Sequence, residues 1–201
     1  MTVSIRAAGD RGALVELSDN AAAVRLARAL AGRAEFVDVV PGHRTVLVTW
    51  ADGARPPVLD SLVGSAPAAE PEPEPGRPVE IPVVYDGADL QEVARLAGLS
   101  PEEVVERHVS ADYVVAFIGF APGFAYLTGG DERLDVPRLA QPRERVPAGS
   151  VAIAGAYSGV YPRDSPGGWR LLGRTSLVLF DPAIDPPARL AAGDRVRFAR
   201  A

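Results

Sequence analysis

Three arginines fall within eight positions of a proline-rich segment in the second half of the chain, at Arg138, Arg143 and Arg145. Planar guanidinium groups bind carboxylates and phosphates through paired hydrogen bonds, and prolines reduce the entropy that a segment loses on ordering. The segment therefore suits an anion site. The alternative is a solvated basic loop in which nearby carboxylates neutralise the arginines. Those carboxylates are Asp131, Glu132, Asp135 and Glu144.

A second candidate segment, residues 117–127, carries aromatic side chains between glycines that permit sharp bends. Its candidate binding residues are Phe120, Pro122, Phe124 and Tyr126. Aromatic side chains on a loop between strands can line a ligand pocket or a partner interface. Alternatively, they cover one end of a barrel, and the sequence leaves both interpretations open.

A third segment adds hydroxyl groups at Tyr157, Ser158 and Tyr161, followed by a Pro-Gly-Gly-Trp turn that contains Gly167, Gly168 and Trp169. Such a turn can expose backbone N–H groups to an anion and can direct the indole ring. The alternative is an ordinary tight turn with Trp169 in the core.

Several kinds of chemistry are excluded by residue type. The chain has no cysteine, and all 21 basic residues are arginine, so thiolate, P-loop lysine and Schiff-base chemistry have no residue to carry them. No serine lies in a Gly-x-Ser-x-Gly elbow. Of the two histidines, His43 is expected in a loop. His108 is expected at a helix end, where the dipole favours its protonated form and a capping role. The sequence therefore assigns no catalytic residue and no metal site.

The elements that must position these segments fall into two predicted domains of an α+β protein. Residues 67–78, PAAEPEPEPGRP, are acidic and proline-rich, which favours an extended linker. We predict a small α/β domain at 1–66 and a β-barrel domain at 79–201. In the first domain the pattern predicts two strands, a helix capped by Ser18 or Asp19, two more strands and a second helix. The strands are expected at 3–5, 13–17, 36–40 and 45–50, and the second helix at 57–63.

The second domain opens with a strand and two helices and continues as short strands separated by glycine and proline. Asp89 is expected to cap the first helix, and Ser100 and Glu103 form a capping box for the second, which runs to about His108. Many short strands with frequent turns are typical of a closed or nearly closed barrel. The strands are expected at 79–85, 113–118, 151–154, 170–173, 176–180 and 195–199.

Composition is that of an ordinary globular protein, with 47% hydrophobic and 23% charged residues. The net charge of −5 argues against broad nucleic-acid or anionic-membrane binding. The N-terminus lacks the pattern of a secretory signal, and no apolar run is long enough to span a bilayer. We therefore expect a cytoplasmic protein.

Linked motifs along almost the whole chain resemble one known family. They are Gly119-Phe120-Ala121-Pro122-Gly123-Phe124, Tyr126-Leu127, Pro137-Arg138, Pro142-Arg143, Val146-Pro147-Ala148-Gly149-Ser150-Val151, Ile153-Ala154-Gly155, Tyr161-Pro162, Ser165-Pro166-Gly167-Gly168-Trp169 and Gly193-Asp194-Arg195-Val196-Arg197-Phe198. Together they resemble the B subunit of 5-oxoprolinase, also called PxpB or KipI and often labelled allophanate hydrolase subunit 1, which is a carboxyltransferase domain of subdomain C/D type.

The resemblance implies a cyclophilin-like barrel after a small α/β domain. It also implies two partners, a C subunit and an A subunit, with which the chain would hydrolyse 5-oxoproline to glutamate at the expense of ATP. ATP with Mg²⁺ would be used by the complex and not bound tightly by this chain alone. Residues that match family motifs by position are His108, Tyr126, Arg143, Tyr161 and the Pro-Gly-Gly-Trp turn.

Two alternatives accompany the resemblance. Some relatives are similar to inhibitors that dock on a sensor histidine kinase, and others are linked to urea or allophanate amide hydrolysis. The chain also departs from the family where Tyr157-Ser158 replaces the usual Gln-Thr and where Val109 follows His108 in place of threonine. A phenol in place of an amide changes both the hydrogen-bond donors and the volume, so this loop is where a difference in substrate would arise.

Overall fold

The computed structural model describes residues 3–53, Leu59, Ser61 and 76–201. Most of the predicted helix at 57–63 and of the predicted linker at 67–78 lies outside the described residues. The chain divides into two compact units, Met1–Glu74 and Pro75–Ala201. Within the described residues, no helix is both long and apolar enough to cross a membrane.

Within residues 3–53, the N-terminal unit is a four-stranded antiparallel sheet with one helix against it. Asp19 caps the helix by accepting a hydrogen bond from the Ala22 backbone N–H at 2.8 Å, as predicted. The buried face of the helix packs with Val15, Val46 and Val48 of the sheet. The elements are β1 Ser4–Ala7, β2 Gly12–Glu16, α1 Asn20–Leu30, β3 Asp38–Pro41 and β4 Thr45–Thr49, in the sheet order β1-β2-β4-β3.

The C-terminal unit contains nine strands, two α-helices and a 3₁₀ turn within residues 76–201. Seven of the strands form one sheet, in the order β12-β9-β10-β7-β6-β13-β5, and the other two, β8 and β11, pair with each other. The elements are β5 Pro78–Val83, α2 Leu90–Ala97, α3 Pro101–Ser110, β6 Tyr113–Ile118, β7 Ala125–Thr128, a 3₁₀ turn Glu132–Leu134, β8 Arg143–Val146, β9 Ser150–Ala154, β10 Tyr157–Val160, β11 Ser165–Gly167, β12 Arg170–Arg174 and β13 Arg195–Arg200.

The seven-stranded sheet closes almost completely on itself. The chain just after β5 pairs with β12, because Val84 and Arg174 exchange two backbone hydrogen bonds of 2.9 Å. Gly87 continues this contact by donating its N–H to the Leu172 carbonyl at 3.0 Å. A Cβ at Gly87 would lie 2.3 Å from the Leu172 carbonyl carbon, so only glycine fits this approach. The α+β class and the barrel-like sheet predicted from sequence are confirmed.

The two helices of this unit pack beside the barrel. Ser100 and Glu103 form the predicted capping box, with the Ser100 N–H donating to Glu103 Oε2 at 2.7 Å. The α3 helix ends at Ser110, two residues later than predicted. The predicted strand at 176–180 is wrong, because that segment joins no ladder beyond one bridge from Phe180 to Ala188. Four short strands, β7, β8, β10 and β11, were not predicted.

Candidate functional site

A small cleft in the C-terminal unit brings together residues from all three candidate segments. Its volume of about 200 Å³ is below the roughly 300–1,000 Å³ of typical ligand pockets. It therefore suits a small ligand, or part of a site shared with another surface. The lining residues are Phe120, Phe124, Tyr126, Arg138, Pro142, Tyr161, Pro166, Gly167 and Trp169.

Phe124 lies at the centre of the aromatic packing around this cleft. Its ring centroid is 5.1 Å from that of Tyr126 and 5.3 Å from those of Tyr161 and Trp169, all in edge-to-face geometry. Such pairs add directional attraction to the burial of their surface. Because Phe124 is almost wholly buried, its neighbours are held in fixed orientations. The cleft wall is therefore rigid.

Two phenol groups supply the polar part of the wall. Burial raises the pKa of the Tyr161 hydroxyl, and burial likewise raises the pKa of Tyr126, so both remain protonated hydrogen-bond donors near neutral pH. The Tyr161 hydroxyl lies against Gly167, where an added Cβ would be only 2.3 Å from the oxygen. Glycine at this position therefore lets the β11 strand approach the ring.

Phe120 has the most unusual backbone of the described residues. It is their only non-glycine residue with positive φ, at 66°. The Ala121 N–H donates to the Gly119 carbonyl at 2.7 Å, which makes Phe120 the central residue of a rare and strained γ-turn. Its side chain is 59% exposed. Strained residues that the surrounding fold maintains concentrate at binding and catalytic sites, so the rim of the cleft is a candidate contact surface.

Arg143 does not face an open anion site. Its Nη2 donates to Asp89 Oδ1 at 2.7 Å, and its Nη1 donates to the Trp169 carbonyl at 3.4 Å. Asp89 is buried, and its second carboxylate oxygen accepts the Leu171 N–H at 2.7 Å. Asp89 is the N-cap residue of α2, as predicted, but its side chain does not cap the helix, because its carboxylate is occupied by these two partners.

The other two arginines differ from each other. Arg145 pairs with Asp164, its Nε lying 2.8 Å from Oδ2, at an exposed position. Arg138 makes no hydrogen bond or ion pair with any residue of the described ranges. The predicted neutralisation therefore holds for Arg143 and Arg145, but the predicted partners are wrong. The partners are Asp89 and Asp164, whereas Asp131 pairs with Arg107.

His108 lies inside the fold and apart from the cleft. Its Nδ1 is 2.8 Å from the Tyr85 hydroxyl and its Nε2 is 2.9 Å from the Ser158 hydroxyl. Its ring also packs 4.3 Å from that of Phe198. Burial lowers the pKa of His108 to about 3, so the imidazole is neutral. The predicted protonated, helix-capping His108 is wrong, because desolvation outweighs the helix dipole.

The remaining predicted site residues lie at different distances from the cleft. Gly168 borders it, because a Cβ there would lie 3.5 Å from Arg138 Nη2. Tyr157 is one layer behind, with its ring 5.5 Å from Tyr126. Pro122 is exposed on the Phe120 loop but does not line the cleft. Ser158 belongs to the buried His108 network.

Comparison with known proteins places this chain in a family. Residues 3–190 match the carboxyltransferase domain, subdomain C and D. The chain is 48% identical over 182 residues to the B subunit of 5-oxoprolinase from Escherichia coli O157:H7, covering 87% of this chain and 82% of that protein. The chain belongs to the carboxyltransferase subdomain C and D family.

Two further comparisons extend this membership. The 5-oxoprolinase B subunit from Bacillus subtilis strain 168 is 54% identical over 127 residues, which are 62% of this chain and 53% of that protein. The Kluyveromyces lactis urea amidolyase shares the fold with a TM-score of 0.73 at 21% identity, over 99% of this chain and 15% of that one. At this identity, the likeness to the urea amidolyase supports the fold of the chain and does not bear on its activity.

This member of the carboxyltransferase subdomain C and D family does not present an ATP site in its cleft. One guanidinium faces a volume of about 200 Å³, whereas a nucleoside triphosphate needs several donors and normally Mg²⁺ held by carboxylates. In residues 3–53 and 76–201, no group of three or more histidine, aspartate or glutamate side chains could hold a metal ion. The residues that line the cleft do not fit the nucleotide.

Sequence reasoning missed the part that Asp89 plays in this family member. An aspartate just before a helix is ordinarily a cap, and nothing nearby in the sequence indicates a partner 54 residues away. Tyr85 was likewise expected only as a strand residue. Pro142 and Pro166 line the cleft but were not predicted. The only sequence signal for them was that they adjoin the predicted residues Arg143 and Gly167.

Proposed function

We propose that this chain is the B-type subunit of an ATP-dependent 5-oxoprolinase and that its aromatic cleft is the binding half of a composite active site. The 48% identity to a 5-oxoprolinase B subunit over most of both chains supports the assignment to this complex. The cleft is the observation that carries the proposed role, because it combines rigid aromatic walls, two neutral phenols and one unpaired guanidinium.

The side chains that line the cleft suit binding rather than bond cleavage. They include no carboxylate, imidazole or serine hydroxyl, so the cleft has no general base of suitable pKa and no activated nucleophile. The phenol of Tyr126 is a donor that can hold an amide oxygen or a carboxylate, and the buried Tyr161 supports the wall behind it. We therefore assign the reactive groups to the surface that faces the cleft in the complex.

The chemistry of lactam hydrolysis explains why the reaction needs more than one subunit. A five-membered lactam is a poor electrophile, and phosphoryl transfer from ATP to its oxygen would make the ring carbon reactive toward water. The balanced reaction consumes 5-oxoproline, ATP and two water molecules and releases glutamate, ADP and phosphate. In this scheme the present chain orients the lactam, and partner chains bind the nucleotide with Mg²⁺ and supply the attacking water.

The partners that we propose are the C and A subunits of the same enzyme. Phe120 would meet one of them, because its exposed ring stands at the rim of the cleft on a strained turn. Binding there would cover the apolar ring and exclude water from the cleft. Since the reaction consumes ATP, we place the complex in the cytoplasm.

Reconstitution tests this function. The full chain is mixed with its C and A partners, and glutamate release and ADP formation are measured with and without 5-oxoproline. We expect both products to depend on all three chains and on 5-oxoproline. A purified three-chain complex that releases no glutamate would contradict the proposal. So would turnover of urea or allophanate in place of 5-oxoproline.

A further inference from the structure

We propose that Arg138 is the residue that recognises the carboxylate of the ligand, while the aromatic wall accommodates its ring. The cleft would thus select small cyclic amides that carry one carboxylate. The identity of the ligand, 5-oxoproline, rests on the proposed function. The assignment of Arg138 as the carboxylate-binding residue rests only on the geometry of the cleft.

The guanidinium of Arg138 lines the cleft and lies next to Gly168, which borders it. Its Nη2 and Nε are 3.5 and 3.6 Å from the position that a Cβ on Gly168 would take. Its positive charge also acts on the hydroxyls of Tyr126 and Tyr161, where it partly offsets the rise in pKa that burial causes. The charge and both phenols therefore converge on the same small space.

The backbone on both sides of Arg138 is fixed. The Leu139 N–H donates to the Gly168 carbonyl at 2.8 Å, and Arg170 Nε donates to the Pro137 carbonyl at 3.1 Å. Pro137 restricts the chain further. Holding the peptide on either side reduces the entropy that a ligand-binding arginine loses when it binds. The residue is therefore prepared for binding even though its side chain is exposed.

Of the three arginines in this segment, only Arg138 is a candidate for binding the carboxylate, because the other two are already paired. Asp89 occupies Arg143 and Asp164 occupies Arg145, whereas Arg138 has no carboxylate partner among the residues that the structure describes. A guanidinium with a free pair of parallel N–H groups matches a carboxylate in a bidentate arrangement. Its position at the mouth of an apolar cleft leaves the rest of the ligand in contact with aromatic rings.

A carboxylate fits this arrangement better than a phosphate does. One guanidinium balances one negative charge, and the lining provides no second cation. A phosphate ester near neutral pH carries up to two charges and three acceptor oxygens, which usually recruit several N–H donors. The rings of Phe120, Tyr126 and Trp169 instead suit a flat, uncharged ring attached to the anion.

Steady-state kinetics of the reconstituted complex test the inference with Arg138→Gln, Arg138→Lys and, as a matched control, Arg145→Gln. Loss of a charged hydrogen-bond pair costs about 1.5–3 kcal/mol, so we expect Arg138→Gln to raise KM for 5-oxoproline by roughly 10- to 150-fold. Arg138→Lys should recover part of this, and Arg145→Gln should behave as wild type. With 2-pyrrolidinone, which is the same lactam without the carboxylate, wild type and Arg138→Gln should be equal.

Binding to the full chain alone separates this inference from the proposed function. In a Trp50→Phe background Trp169 is the only tryptophan, and its fluorescence is titrated with 5-oxoproline, 2-pyrrolidinone and inorganic phosphate. A response to 5-oxoproline that Arg138→Gln abolishes supports the inference even if the complex lacks 5-oxoprolinase activity. Equal binding by wild type and Arg138→Gln, tighter binding of phosphate, or no carboxylate-dependent response in either assay would overturn it.

Discussion

Arg143→Ala is expected to lower the free energy of unfolding by about 3 kcal/mol. The substitution leaves the buried Asp89 carboxylate with only the Leu171 N–H as a partner, and an uncompensated buried charge is costly. It also removes the link from β8 to the chain before α2 and to the Trp169 carbonyl. Urea denaturation of the full chain, followed by circular dichroism, measures the change.

Arg145→Ala is the matched control, because its pair with Asp164 is largely exposed. We expect a loss below about 1 kcal/mol. A double-mutant cycle with Asp89→Ala should show positive coupling, since each single change removes the same pair. If Arg143→Ala is no more destabilising than the control and yet abolishes turnover, Arg143 is an anion-binding residue and its pairing with Asp89 is not structural.

Acidification below pH 6.5 is expected to destabilise the protein through His108. The pKa of this imidazole falls from 6.5 to about 3 on folding because the ring is buried. Between these values the unfolded chain binds more protons than the folded chain, so the free energy of unfolding decreases as the pH falls. The slope approaches about 1.4 kcal/mol per pH unit, the limit for one proton.

Urea denaturation between pH 7 and 5 isolates this effect, because most carboxylates titrate at lower pH. His108→Gln should remove the slope, and His43→Gln should keep it. An NMR titration of the wild type provides a second readout that needs no variant, and the His108 ring should stay neutral at pH 5. A flat stability profile from pH 7 to 5, or a His108 ring that titrates near 6.5, would contradict the buried, neutral assignment.

Much of the fold could be predicted because local signals agreed with the final packing. The short apolar run at Tyr113–Ile118 and the capping box at Ser100 each indicate their element without help from distant residues. The strands β7 and β10 are short, and β10 contains a serine and a glycine. They are strands because neighbours pair with them, and such context decides β structure more than intrinsic propensity does.

The segment at 176–180 shows the opposite error. It is an apolar run whose burial alternates as in a strand, with Leu179 buried and Val178 exposed, but no neighbouring strand completes a ladder along it. Alternation reports which side chains face the core, whereas a strand also requires hydrogen-bonded neighbours. The sequence signal was therefore correct for burial and wrong for secondary structure.

The candidate site could be predicted in composition but not in arrangement. Aromatic and glycine spacing indicated Phe124, Tyr126 and Trp169, which meet at the cleft. The distinction between Arg138 and Arg143 depends on Asp89, which is far away in sequence and resembles an ordinary cap. His108 was assigned from its place on a helix, and only the fold shows that this helix buries it against the barrel.

The arrangement of these residues supports a binding surface that requires a partner. The cleft has a rigid wall, neutral donors and one unpaired cation, but no group among its lining residues that could break an amide bond. The exposed Phe120 on its strained turn marks the edge at which another chain would meet it.

Cysteine labelling at the rim of the cleft tests the composite-site claim most directly. The chain has no native cysteine, so Phe120→Cys introduces one reporter, and Val37→Cys places a control at an exposed position in the N-terminal unit. The rate of alkylation at position 120 should fall several-fold when the C partner is added and fall again with 5-oxoproline, while the rate at position 37 should not respond to 5-oxoproline. Unchanged alkylation at position 120 in an assembled, active complex would contradict the account.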